Sequence, residues 1–178
     1  KKYGADGVRA GMLFSAPAGN DLLFDEKLCE QGRNFSNKLW NAFRLIKSFE
    51  IASIGGDQSL AINWINSRFN EVLDQVEDHF SKYRISDALL SLYTFIWDDF
   101  CSWYLEIIKE KSISKNTYDE TIDILERILK TLHPFMPFIT EELWNQIDDK
   151  RDYIMISDYP SSDKFDIKLN KDFNKIFE

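Results

Sequence analysis

The chain has 178 residues, 44% of them hydrophobic and 15% aromatic, which is enough for one sizeable core and excludes disorder for its bulk. Seven glycines and four prolines supply few turns and favour long helices over many short strands. The formal net charge is −8, so the overall field repels nucleic acid, and any RNA contact must rest on a local patch. Cys29 and Cys101 stand in no CxxC or metal-binding spacing and read as reduced thiols of a cytoplasmic protein. No signal peptide opens the sequence, and no run of about 18 apolar residues could span a membrane. The sequence starts at Lys1, inside a helical pattern, which predicts a segment of a longer chain.

Residues 2–15 read as a helix with Val8, Met12 and Leu13 on its apolar side. Gly4, Gly7 and Gly11 weaken it in isolation and let another backbone come close, which predicts that it leans on a further domain. Ala16 to Asp21 is a loop by its punctuation, Leu22-Leu23-Phe24 is a short apolar run, and Asp25 suits an N-cap. The next helix is predicted from Asp25 to about Phe49. Phe35, Leu39, Ala42, Phe43, Ile46 and Phe49 recur there at steps of three and four. At about 100° per residue, the opposite face collects Arg33, Asn37, Trp40, Asn41, Arg44 and Lys47. No acid occurs between Gln31 and Lys47. Cationic forks, amides and one flat ring can hold exposed bases, with arginine on phosphate and the ring stacked. The same face also reads as Trp40 packed on a neighbouring helix among solvated cations, because tryptophan is usually well buried.

Ile54 to Asp57 breaks the chain, and Asp57 suits the cap of a helix running to about Phe80. Its buried face holds Ile65, Phe69, Val72, Leu73 and Val76; Arg68, Glu71, Asp74, Glu77 and Asp78 lie opposite. Residues 85–110 are apolar around nearly the whole circumference, which predicts the central, most buried helix. Asn116 or Thr117 suits the cap of a helix ending at His133-Pro134, because proline disfavours helix at the residue before it. Pro137 predicts an irregular connection, and Thr140 the cap of a short helix. Tyr153 to Ile156 reads as a short extended segment; residues 161–178 are polar with a weak helical pattern in Phe173, Ile176 and Phe177. The fold class is therefore all-α, a bundle of about five helices with a short irregular or extended C-terminal segment.

The usual chemistry is missing from the sequence. His79 and His133 lie on different segments without a second ligand at i+4. Asp98 and Asp99 are consecutive, so on a helix they point about 100° apart and make a poor acid–base pair. No GxGxxG, P-loop or GxSxG is present. No catalytic, metal or cofactor-binding residue is predicted in this segment.

Five stretches carry a resemblance: Lys2-Tyr3-Gly4-Ala5-Asp6-Gly7-Val8-Arg9, Phe24-Asp25-Glu26, Arg33-Asn34-Phe35-Ser36-Asn37-Lys38-Leu39-Trp40-Asn41-Ala42, Trp97 to Glu106 (WDDFCSWYLE), and His133 to Trp144 (HPFMPFITEELW). In this order they resemble the valyl-tRNA synthetases, class I aminoacyl-tRNA synthetases of the valine/isoleucine/leucine group. The resemblance covers about residues 2–160. It implies the α-helical anticodon-binding domain over residues 25–160. Residues 1–24 would be left from the connection to a catalytic domain, and 161–178 would start a linker to a C-terminal element. The HIGH and KMSKS signatures, which handle ATP in the family, are absent from this sequence, as is the editing domain. The longer parent would attach valine to tRNA using ATP and Mg²⁺; the segment itself would be inactive and without cofactor.

The implied partners are the anticodon stem-loop of a valine-accepting tRNA and the missing catalytic domain of the same chain, with no membrane. Arg33, Asn37, Lys38, Asn41 and Arg44 are the residues expected to face RNA. The arginines would take phosphate or a base edge, and the asparagines and Lys38 would donate hydrogen bonds; Lys38 sits toward the edge of the polar face. Trp40 stays open between stacking on a base and packing. Two alternatives stand beside this: the equivalent domain of an isoleucyl- or leucyl-tRNA synthetase, and a helical protein-interaction module without RNA binding.

Overall fold

The computed structural model describes residues 2–16, 24–52, 58–110 and 112–177. Among them, α1 (Gly4–Phe14), α2 (Glu26–Lys47) and α3 (Ser59–Ser81) come first. The long rod α4 follows. It is α-helical over Ile85–Thr94, π-helical over Phe95–Tyr104 and α-helical again over Leu105–Ile107. Then come α5 (Lys115–Leu132), α6 (Pro137–Ile147) and α7 (Ile167–Phe177). The expected all-α bundle is what the chain forms. Helices α2 to α6 are its five rods, and the terminal segments add α1 and α7.

The core is built from the stripes that the apolar spacing marks. Phe35, Leu39 and Ile46 of α2, Ile65, Phe69 and Val72 of α3, and Leu125, Ile128 and Leu129 of α5 are fully buried. Rod α4 passes through their middle, burying Leu89, Leu92, Phe95, Ile96, Phe100 and Tyr104. Polar pairs fix the rods against one another. Arg68 of α3 binds Asp99 of α4 at 2.9 Å and Glu71 at 3.0 Å, and Asn170 of α7 donates to Glu71 at 2.8 Å. Arg127 of α5 reaches Asn66 at 3.1 Å and Asn70 at 2.8 Å on α3. Helix α7 lays Phe173 on Trp64 (4.6 Å between centroids) and Phe177 on Trp103 (4.1 Å).

Several local expectations are corrected. The glycine face of α1 leans on α2, within the bundle, rather than on a further domain. A Cβ on Gly11 would lie 2.6 Å from Cys29 N, and one on Gly32 2.6 Å from Gly7 O. The cap of α5 is Ser114, whose side chain accepts from the N–H of Thr117; Asn116 and Thr117 lie inside the helix. Pro137 begins α6 instead of interrupting the chain, since its missing N–H costs nothing in a first turn. Thr140 is therefore one turn inside the helix, buried, with its hydroxyl on Met136 O at 2.8 Å. Ile154–Ile156 winds as one 3₁₀ turn, not an extended segment. Two three-residue strands escape the sequence reading: β1 (Glu50–Ala52) pairs in parallel with β2 (Ser112–Ser114), Ile51 opposite Ile113. The expected loop at 17–21, the apolar pair Leu22-Leu23 and the break at 54–57 with its Asp57 cap lie outside the described residues.

Candidate nucleic-acid interface

Helix α2 starts where the sequence puts its cap: the Asp25 carboxylate accepts from the N–H of Lys27 at 2.9 Å. Burial of Phe35, Leu39, Phe43 and Ile46 fixes the rotation of the helix, so the opposite stripe must face outward. Asn37, Asn41, Arg44 and Lys47 are exposed on that stripe. Arg44 and Lys47 border a shallow hollow shared with Ser48 and with Gln146 of α6. Among the described residues, neither cation makes an ion pair.

The remaining members of the expected strip are engaged inside the molecule. Arg33 is half-buried: its Nη2 donates to Glu30 Oε1 at 3.1 Å, and its guanidinium carbon lies 5.9 Å from the centroid of Tyr3. Its Nε is buried without a hydrogen-bond partner. Lys38 turns to the flank that faces α4. Its Nζ donates to Ser102 Oγ at 3.2 Å and sits 4.9 Å from the Trp97 ring centroid. Trp40 is half-buried and packs on Phe43, 6.4 Å between centroids. The strip thus has four open members, Asn37, Asn41, Arg44 and Lys47, and three engaged ones, Arg33, Lys38 and Trp40.

Cys101 lies beside Lys38 and is half-buried; burial pushes its thiol up to about 12, against the pull of the Lys38 charge. Among the described residues, no cluster of three or more His, Cys, Asp or Glu is placed to hold a metal ion. No described helix is long and apolar enough to cross a membrane.

A family model described as the anticodon-binding domain of tRNA ligase matches residues 63–178, more than half of the chain. The chain belongs to this family. It is also 50% identical to the valine--tRNA ligase of Christiangramia forsetii, over 100% of this chain and 21% of that protein. Identity to the valine--tRNA ligase of Phocaeicola vulgatus is 54%, over 85% of this chain and 18% of the relative. For that of Fusobacterium nucleatum it is 40%, over 100% and 22%. The chain therefore spans about a fifth of the length of the curated relatives it matches. Its fold is also that of a solved structure, the ternary complex of Agrobacterium radiobacter K84 agnB2 LeuRS, tRNA and LeuAMS. There the TM-score is 0.63 at 17% identity, covering 95% of this chain and 20% of that one.

Within this anticodon-binding domain, the motifs quoted from the sequence meet one another. Asp6 of α1, buried, accepts at Oδ2 from Ile139 N–H (2.6 Å) and at Oδ1 from Phe138 N–H (3.3 Å). It thereby satisfies the first turn of α6, where a negative charge is favoured. Arg9, one turn on, donates to Phe135 O (3.2 Å) and Pro134 O (3.1 Å). The α5–α6 corner is braced from inside by His133 Nδ1 on Thr140 Oγ1 at 2.8 Å. The α1 contacts that hold this frame were not read from the sequence. Their signal was an acid and a base three residues apart on a helix otherwise made of small and apolar residues.

Proposed function

We propose that the domain binds the anticodon stem-loop of a valine-accepting tRNA through the polar face of α2, as part of a longer valine--tRNA ligase. The observation that carries this reading is the open end of the strip. Arg44 and Lys47 stand without an anionic partner among the described residues, next to the exposed amides of Asn37 and Asn41, on a chain of net charge −8. Unpaired cations retained on an acidic protein suit a phosphate backbone, and amides suit the edges of splayed bases. Arg33 and Arg44 take phosphate or a base edge, and Asn37, Lys38 and Asn41 donate hydrogen bonds. Whole-chain likeness to valine--tRNA ligases supports valine over isoleucine or leucine. In this reading residues 1–24 lead in from the catalytic body, 25–160 form the RNA-binding bundle and 161–178 lead out. The longer polypeptide charges its tRNA with valine using ATP and Mg²⁺ in the cytoplasm.

A second reading, a protein-contact module, draws on exposed Phe138, Tyr153, Met155 and Ile156. Glu141 and Glu142 line the hollow beside them, and that charge suits a protein more than RNA. Salt separates the two readings. Affinity of the chain for an anticodon stem-loop RNA, followed by fluorescence anisotropy from about 50 to about 200 mM salt, should fall steeply with salt. Arg44→Ala should weaken binding and flatten the slope by about 0.7 for the phosphate it loses. Arg33→Ala should do less, because Arg33 must first leave Glu30. RNA binding without salt dependence, or an unchanged slope in Arg44→Ala, would remove the RNA reading.

A further inference from the structure

Helix α7 is docked by one face and charged on the other. Phe173 stacks on Trp64 of α3 and Phe177 on Trp103 of α4, while buried Asn170 donates to Glu71 of α3 at 2.8 Å. These contacts fix the rotation of the helix. At about 100° per residue, Lys168, Lys171 and Lys175 then fall within about 60° of arc on the opposite side. All three are exposed. The step from Lys168 to Lys175 spreads them over about 10 Å along the helix.

Little in the molecule neutralises this stripe. Asp172 is the one acid within α7, and it lies 3.7 Å from Lys175 with both side chains more than half exposed. The Asp166 carboxylate is turned into the helix, where it accepts from the N–H groups of Lys168 and Leu169 at 2.9 and 3.0 Å. Among the described residues, Lys168 and Lys171 make no ion pair. Like charges three and four residues apart on a helix repel, and an anion laid along them relieves the repulsion. The stripe also neighbours the strip of α2, because both helices flank the same stretch of α4. Ser102 of α4 takes Lys38 of α2, and the next residue, Trp103, takes Phe177 of α7.

We propose that the lysine stripe of α7 binds the phosphate backbone of the same RNA that α2 meets, as a second contact that reads no base. A lysine ammonium is a point charge with three rotatable donors, suited to phosphate oxygens arriving from any direction. Such contacts position the nucleic acid and are indifferent to its sequence. A membrane surface would need the apolar face of the helix as well, and that face is stacked on Trp64 and Trp103. The proposal rests on the RNA reading above and adds where the backbone is held outside α2, and by which residues.

The experiment measures binding of the 178-residue chain to an anticodon stem-loop RNA from about 50 to about 200 mM salt. The double variant Lys168→Gln, Lys171→Gln should weaken binding and flatten the slope of log affinity against log salt by about 1.5, for the two phosphates lost. The loss should be the same for a second RNA with its stem base pairs exchanged. Lys82→Gln, at the far end of α3, controls for net charge and should leave the slope unchanged. On the unmutated protein, RNA should slow acylation of Lys168 and Lys171, followed by peptide mass, and not that of Lys82. If Arg44→Ala flattens the slope and the double variant does not, or if RNA leaves Lys168 and Lys171 as reactive as before, the stripe is overturned and the strip stands. A loss that depends on the stem sequence, or an equal effect of Lys82→Gln, overturns the stripe as well. Absence of any salt-dependent RNA binding would sink the strip and the stripe together.

Discussion

Arg33 and Arg44 lie on the same face of α2, three turns apart, and one acid separates their roles. Glu30 stands three residues before Arg33 and takes its guanidinium, while among the described residues no acid pairs with Arg44. A window opened at Gln31 misses that acid, which is why the strip looks longer in sequence than in space. His133 makes a testable case at the same scale. Partial burial lowers its pKa below the usual value near 6.5, outweighing the pull of Glu141 and Asp6 in the other direction. Between the two pKa values the unfolded chain holds more protons than the folded one, so stability rises with pH there. Acidification from about pH 7.5 to about pH 5.5 should therefore lower the urea midpoint of the wild-type chain more than that of His133→Asn. Equal drops would mean that His133 does not couple folding to protons.

At the scale of elements, the contact between α1 and α2 depends on having no side chain at three positions. The neighbours of Gly11 and Gly32 are mostly main-chain atoms, Cys29 N and Cα at 2.6 and 2.7 Å and Gly7 O at 2.6 Å, which cannot swing aside as a side chain can. Gly11→Ala should cost about 1–3 kcal/mol through overpacking, read from urea unfolding, although alanine is the better helix former. Close approach was legible in the glycine spacing; its partner was not, because spacing carries no address. Apolar stripes were legible wherever one face is buried, as in α2, α3 and α5. The π segment was not, since residues apolar on every side leave no period to read. Caps were ambiguous where Ser114, Asn116 and Thr117 compete within four residues, each able to bond a free N–H. Three-residue strands are too short to show alternation. Of the candidate site, its open cations and amides could be found on a helical wheel; the ties of Lys38 to Trp97 and Ser102 required the fold.

At the scale of the whole molecule, helix α1 joins elements far apart in sequence. Asp6 caps α6 across 133 residues, and Arg9 holds the α5–α6 corner across 126. Asp6→Asn keeps the size of the side chain and removes the charge that strengthens two hydrogen bonds at a helix N-terminus. The expected loss is about 1–2 kcal/mol, seen as a lower urea midpoint. A midpoint unchanged within error would make this clamp ornamental. The same clamp sets a timetable for a nascent chain. Asp6 emerges from the ribosome before Ile139 and waits for it, 133 residues later. At about 5–20 residues per second, that wait is about 7–27 s. Until then α1 leans on α2 and on α4, where Ser86 Oγ donates to Leu13 O and Tyr93 meets Phe14, and the last hydrogen bonds close when the proline-rich corner arrives.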